Sequence, residues 1–196
     1  MDLAIIQHEL NEFYQRWKTK ANGHNSGSLE DYFDRFFTLF VIYNRIYNVV
    51  TVILAEQGEL EILKEKGKIK KKEKIDDNKA ATVCVAHFLS EELNEIIAKN
   101  QSQINEFIFI IKERLFNIDL KNGKPQKNKD FELKNSLESD EAEIIVESLL
   151  IILYKMRCNV FHAEKGFNNS QIRILEPANI CLNNLVERLI VKVMAA

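Results

Sequence analysis

The sequence is poor in the residues that interrupt helices. It contains only six glycines and two prolines among 196 residues, and these residue types disrupt regular backbone more than any others. Hydrophobic residues make up 46% and charged residues 29% of the chain, which is the balance of a folded, helix-rich protein and not of a disordered one. The composition therefore predicts long helices around a real core.

Cysteine is scarce as well, and its pattern excludes two structural devices. Cys84, Cys158 and Cys181 are odd in number and show no CxxC or His-linked spacing, so neither a disulfide framework nor a zinc site is expected. The chain also lacks an HExxH motif and a paired acidic motif, and the sequence implies no metal or other cofactor. Reduced thiols favour a cytoplasmic location.

No export signal and no uninterrupted apolar span is visible. Asp2 stands where a secretory signal would carry positive charge, and the most apolar window, residues 39–55, is interrupted by Asn44, Arg45 and Asn48. We expect no transmembrane segment and no membrane partner. A net charge of −2 gives no global attraction to nucleic acid, so any contact with phosphates must come from a local patch.

The spacing of apolar residues predicts an all-α protein. The predicted helices are 2–20, Ser28 to about Glu56, 80–88, 90–115, Asp140 to near Gly166, and a last helix with Pro177 in its first turn. Two lysine-rich segments, 64–74 and 119–139, are predicted to be loops, and only "QIRIL", residues 171–175, resembles a strand. We expect a single domain, residues 1–196, built as an up-and-down bundle of about six helices.

The segment "YKMRCNVFHAEKG", residues 154–166, carries the candidate site. Arg157, Asn159 and His162 follow a long apolar run, and all three suit contact with phosphate. Five residues along a helix correspond to a rotation of about 140°, so Arg157 and His162 point in different directions within one regular helix. A two-fold dimer could bring the arginine of one copy to the histidine of the other.

These residues resemble the HEPN family (higher eukaryotes and prokaryotes nucleotide-binding), all-α bundles marked by an Arg followed four to six residues later by a His. "RCNVFH", residues 157–162, fits that pattern, and "FTLFVIYNRIYN", residues 37–48, is similar to the second helix of some members. The resemblance implies a metal-independent RNA endonuclease that acts as a homodimer, with Arg157 and His162 as the catalytic pair and Asn159 as an auxiliary polar group. It also implies toxin or phage-defence character, with an antitoxin or nucleotidyltransferase partner.

Ribonuclease chemistry suits this pair of side chains. RNA supplies its own nucleophile, the 2′-OH, so His162 would move protons and Arg157 would stabilise the charge that develops on the phosphoryl oxygens. Lys155, Lys165 and Asn44 are further candidates for RNA contact. Two other functions stay open: a non-catalytic module that binds RNA or nucleotide, and a helical protein-interaction domain. The lysine-rich segments are either RNA contacts or simply solvated.

Overall fold

The computed structural model describes residues 3–70, 75–161 and 169–196, and it is almost entirely helical. Its elements are α1 Leu3–Gly23, α2 Leu29–Glu56, α3 Glu59–Glu65, α4 Asp77–Lys79, a π-helical turn Ala80–Cys84, α5 Val85–Phe88, α6 Leu93–Lys112, β1 Leu120–Lys121, β2 Lys124–Pro125, α7 Lys127–Leu137, α8 Ala142–Phe161, a 3-10 turn Asn169–Gln171 and α9 Ile172–Ala195. The prediction of an all-α bundle is confirmed.

Helix α2 is the central element of the bundle. It begins as predicted, because the Ser28 hydroxyl accepts a hydrogen bond from the backbone N–H of Asp31 at 3.1 Å, which satisfies one of the free donors of the first turn. Half of its 28 residues are buried, and it packs chiefly against α9 and α1. The buried side chains of all the long helices join in one continuous hydrophobic cluster, and the single domain stays a prediction that this cluster favours.

Helix α2 is also, among the described residues, the one helix long and apolar enough to cross a membrane. Most of its apolar window is buried inside the fold, as in the core helices of many proteins. The absence of a membrane span therefore stays a prediction.

The predicted loop 119–139 was wrong, because this segment contains a hairpin and a helix. The hairpin turns at Asn122 and Gly123, which both have positive φ, 52° and 71°, as a two-residue type I′ turn requires. Helix α7 then buries Leu133 and Leu137, which lie four residues apart and so face the same side. These two leucines, together with the buried Asp130, dock a short and otherwise polar helix.

The start of the last helix was also predicted wrongly. Helix α9 begins at Ile172, so "QIRIL" is helical rather than strand-like, and Pro177 lies inside the helix and is buried. At this interior position, the sixth of the helix, a proline removes one backbone hydrogen bond and its ring crowds the carbonyl one turn earlier, which costs about 3 kcal/mol. Burial of Ile174, Leu175 and Ala178 along one face outweighs that loss.

Helix α6 is shorter than predicted at both ends. Residues 90–92 form a turn before it, and the helix ends at Lys112 because Arg114 adopts a left-handed conformation with φ of 54°. The N–H of Leu115 then bonds the carbonyl of Ile110 at 3.0 Å, which satisfies a carbonyl at the helix end.

Candidate functional site around the end of helix α8

The predicted catalytic pair is only partly within the described residues. Arg157 lies in the last turns of α8, which ends at Phe161. His162 and Lys165 lie outside the described residues, and their predicted roles stay predictions.

The guanidinium of Arg157 lies against two aromatic rings. Its Cζ is 5.7 Å from the ring centroid of Phe40, on α2, and 6.0 Å from that of Tyr154, one turn earlier on α8. The two rings are themselves 6.4 Å apart, so they form a continuous aromatic support. Contacts of this kind attract a cation electrostatically and limit the positions that a long side chain can take, so the packing of α8 on α2 fixes where this charge lies.

Three polar residues that the sequence did not reveal form a hydrogen-bonded group, and Arg157 contacts one of them, Tyr154. Asp77, on α4, accepts a hydrogen bond from the Tyr47 hydroxyl at 2.5 Å and another from the Tyr154 hydroxyl at 3.1 Å. Tyr154 lies three residues before Arg157 and so shares its helix face. This spacing could have predicted that the two side chains are neighbours. Nothing in the sequence indicated that Asp77 would lie beside α8.

The tyrosine hydroxyls of this cluster stay protonated. Burial raises the pKa of Tyr47 well above its usual value, and the hydrogen bond to Asp77 and the charge of Asp77 raise it further, while the charge of Arg157 opposes the shift. Burial and the charge of Asp77 likewise raise the pKa of Tyr154. Both hydroxyls are therefore donors at neutral pH, and Tyr154 contacts both the Arg157 guanidinium and the Asp77 carboxylate.

Two other predicted site residues fasten α8 to the chain before β1. The Asn159 amide is buried and donates a hydrogen bond to the carbonyl of Ile118 at 2.8 Å. The Lys155 ammonium is 2.9 Å from the carboxylate of Asp119. Both contacts stabilise the packing of α8. The predicted auxiliary role of Asn159 and the predicted RNA contact of Lys155 stay predictions.

Asn44, the last predicted contact residue, lies on α2 between Phe40 and Asn48. The three are four residues apart and therefore form one stripe on the helix. The carbonyl and side-chain oxygens of Asn44 accept hydrogen bonds from the Asn48 amide at 2.7 and 3.2 Å. Asn48 and Asp77 both line a cavity of about 560 Å³ between α2, α3 and α4, so polar groups extend along α2 away from Arg157.

The part of the chain that the structure describes contains no group of three or more His, Cys, Asp or Glu side chains placed to hold a metal ion. Comparisons with protein families, with curated proteins and with solved structures find no match to this chain.

Proposed function

We propose that this protein is a metal-independent RNA endonuclease that acts as a homodimer, with Arg157 and His162 as its catalytic residues. The observation that supports the proposal best is the position of Arg157. Its guanidinium is held on the rings of Phe40 and Tyr154, in the last turns of α8, and His162 is the residue after the helix ends. RNA cleavage requires a cation that stabilises the phosphoryl charge and a group that moves protons, and Arg157 and His162 are side chains of these two kinds.

In the proposed reaction the 2′-OH of one nucleotide attacks its own phosphorus. The imidazole of His162 takes the 2′-hydroxyl proton, and a proton is returned to the departing 5′ oxygen as the P–O5′ bond breaks. The guanidinium of Arg157 stabilises the negative charge on the non-bridging oxygens through paired N–H donors. The products are a 2′,3′-cyclic phosphate and a 5′-hydroxyl. DNA lacks the 2′-OH and is not cut.

A dimer explains how the two residues cooperate. They are offset by about 140° if the helix geometry of α8 continues to position 162, so each would face a different side of one protomer. A two-fold axis beside α8 places the arginine of one copy near the histidine of the other. The toxin or phage-defence role, the antitoxin or nucleotidyltransferase partner and the cytoplasmic location rest on the family resemblance alone.

The test is an RNA cleavage assay in EDTA. Wild-type protein should cut a labelled single-stranded RNA and leave DNA of the same sequence intact. Arg157→Ala and His162→Ala should each lower the rate by about 100-fold or more. Arg173→Ala and His8→Ala are matched controls, because both side chains are at least half exposed and form their ion pairs with surface carboxylates. Uncut RNA, or cutting that survives both site substitutions, refutes the proposal.

A second candidate is a module that binds RNA or nucleotide without cutting it. The internal bonds of Lys155 and Asn159 favour it, because they leave fewer groups near Arg157 to take part in chemistry. In that case RNA should raise the melting temperature of the protein with no cleavage products, and Arg157→Ala should abolish the shift.

A further inference from the structure

The surface around the β1–β2 hairpin carries an excess of cations. Six exposed side chains of residues 112–129 define what we call the basic surface: Lys112, Arg114, Lys121, Lys124, Lys127 and Lys129. Within the described residues, none of them lies within 4 Å of a carboxylate, whereas the nearby Lys134 and Lys155 pair with Glu138 and Asp119. The same segment holds only two acidic residues, and one of these, Asp119, is already paired with Lys155.

The backbone keeps these charges together against their own repulsion. Lys121 and Lys124 are directly opposite in the hairpin register, and like charges in that position destabilise a strand pair. Arg114 holds a left-handed φ of 54°, which costs a residue other than glycine some free energy. A bound anion would reduce the repulsion between Lys121 and Lys124.

The basic surface adjoins a cavity that also presents aromatic rings. The cavity has a volume of about 410 Å³, and its lining includes Lys112, Arg114, Lys127, Phe116 and Phe131. The Phe131 side chain is 56% exposed, which is unusual for a ring of this size. Cations beside an exposed aromatic ring are the combination that binds single-stranded nucleic acid, because phosphates meet the charges and a base stacks on the ring. The Lys134 ammonium lies 4.8 Å from the centroid of the Phe131 ring, so a base would stack on the opposite face. A peptide made only of acidic residues has no group that stacks on the ring.

Carboxylates near the cavity do not cancel this charge. Glu132 also lines it, but the second lining carboxylate, Asp130, is buried and bonded to the backbone N–H groups of Ile118 and Asp119 at 3.1 and 2.7 Å. The three cations of the lining therefore face one exposed carboxylate.

The basic surface is held in a fixed position relative to α8. The two residues just before the hairpin are those that bind the motif helix: the carbonyl of Ile118 accepts from Asn159, and the carboxylate of Asp119 pairs with Lys155. A strand of nucleic acid lying on the hairpin would thus begin next to the end of α8.

We propose that the basic surface binds the phosphate backbone of single-stranded RNA and that Phe131 stacks on one base. The inference rests on the proposed function for its choice of RNA. Binding at this surface is separate from cleavage and is measured separately.

The binding test uses fluorescence anisotropy with a single-stranded oligonucleotide whose 2′-hydroxyls are methylated, so that it cannot be cut. The triple variant Lys121→Ala, Lys124→Ala, Lys127→Ala should bind at least tenfold more weakly at low salt. Its plot of log affinity against log salt should be shallower by about 2, at roughly 0.7 for each phosphate that the variant no longer neutralises. The matched control, Arg16→Ala, Lys20→Ala, Lys66→Ala, removes the same charge from other exposed positions and should stay within about twofold of wild type.

A second variant separates stacking from charge. Phe131→Ala should weaken binding on the order of tenfold without changing the salt slope. Wild-type affinity in the triple variant, an equal weakening in the control, or polyglutamate competing as well as RNA overturns the inference. If the wild type binds through this surface but never cuts, the nuclease proposal fails alone. If it cuts while the triple variant binds normally, this inference fails alone.

Discussion

At the scale of single residues, Asp77 joins three helices through one carboxylate. One oxygen accepts from Tyr47 on α2 and the other from Tyr154 on α8, while Asp77 itself belongs to α4. The Tyr47 side chain is fully buried. Its ionisation would place an uncompensated negative charge in the core next to an existing one, so the cluster makes the fold sensitive to alkali.

We therefore predict that stability falls steeply above pH 10 and that Tyr47 contributes to the fall. Its pKa is raised by burial and by Asp77, so between the unfolded value near 10 and the higher folded value only the unfolded state loses the proton, and unfolding becomes easier as pH rises. The contribution is fully present below pH 10 and is lost above it, by up to about 1.4 kcal/mol per pH unit.

Urea unfolding of wild type and Tyr47→Phe at pH 8 and pH 11 measures this contribution. At pH 8 the variant should be less stable by about 1 kcal/mol, because the hydrogen bond to Asp77 is removed. That difference should shrink or reverse at pH 11. An identical loss of stability in both proteins between the two pH values would contradict the prediction.

The sequence revealed the charged member of the candidate site but not its setting. Arg157 stood out because it begins the Arg-x4-His pattern "RCNVFH" after a long apolar run. Its contact with Phe40, and the bond from Tyr154 to Asp77, arise only when α2, α4 and α8 pack. Helical periodicity tells which side of a helix is buried, but not which residues of a distant helix lie opposite.

At the scale of elements, local signals predicted the long helices and the helical segment 80–88, but missed α3 and α7. Ser28 started α2 as expected, since a capping hydroxyl and an acidic first turn act within four residues. Helix α7 was missed because lysines and asparagines surround its two buried leucines. A side chain that holds it in place also bonds a segment outside the helix, and local sequence patterns do not show such a contact. That side chain is Asp130, whose carboxylate accepts the N–H groups of Ile118 and Asp119.

We predict that Asp130→Ala lowers the free energy of unfolding by about 2–4 kcal/mol, because two buried N–H groups lose their acceptor. Hydrogen exchange should also show faster exchange at residues 118 and 119. Glu132→Ala, an exposed change in the same helix, is the control and should stay within about 0.5 kcal/mol of wild type. Equal stabilities for the two variants would show that Asp130 does not hold the segment.

At the scale of the whole molecule, the proposed site needs two copies of the chain. We predict that Arg157→Ala and His162→Ala proteins, each inactive alone, recover cleavage when they are unfolded and refolded together. Half of the dimers would then be mixed, and each of these would contain one site with both residues intact, which gives roughly a quarter of wild-type activity.

The control for this mixing experiment is each variant refolded alone, which should stay inactive. Light scattering should give the mass of a dimer for all the samples. A monomer, or a mixture as inactive as its parts, would mean that the two residues do not act across a two-fold axis.

The concentration of the buried side chains in α2, together with α9, has a consequence for how this protein can change. Half of the α2 positions are committed to the core, so most substitutions there weaken the fold. The cations of residues 112–129 are exposed and do not form part of the core. If this surface binds RNA as proposed, its ligand preference can be redesigned by altering these exposed cations while the helices beneath them stay the same.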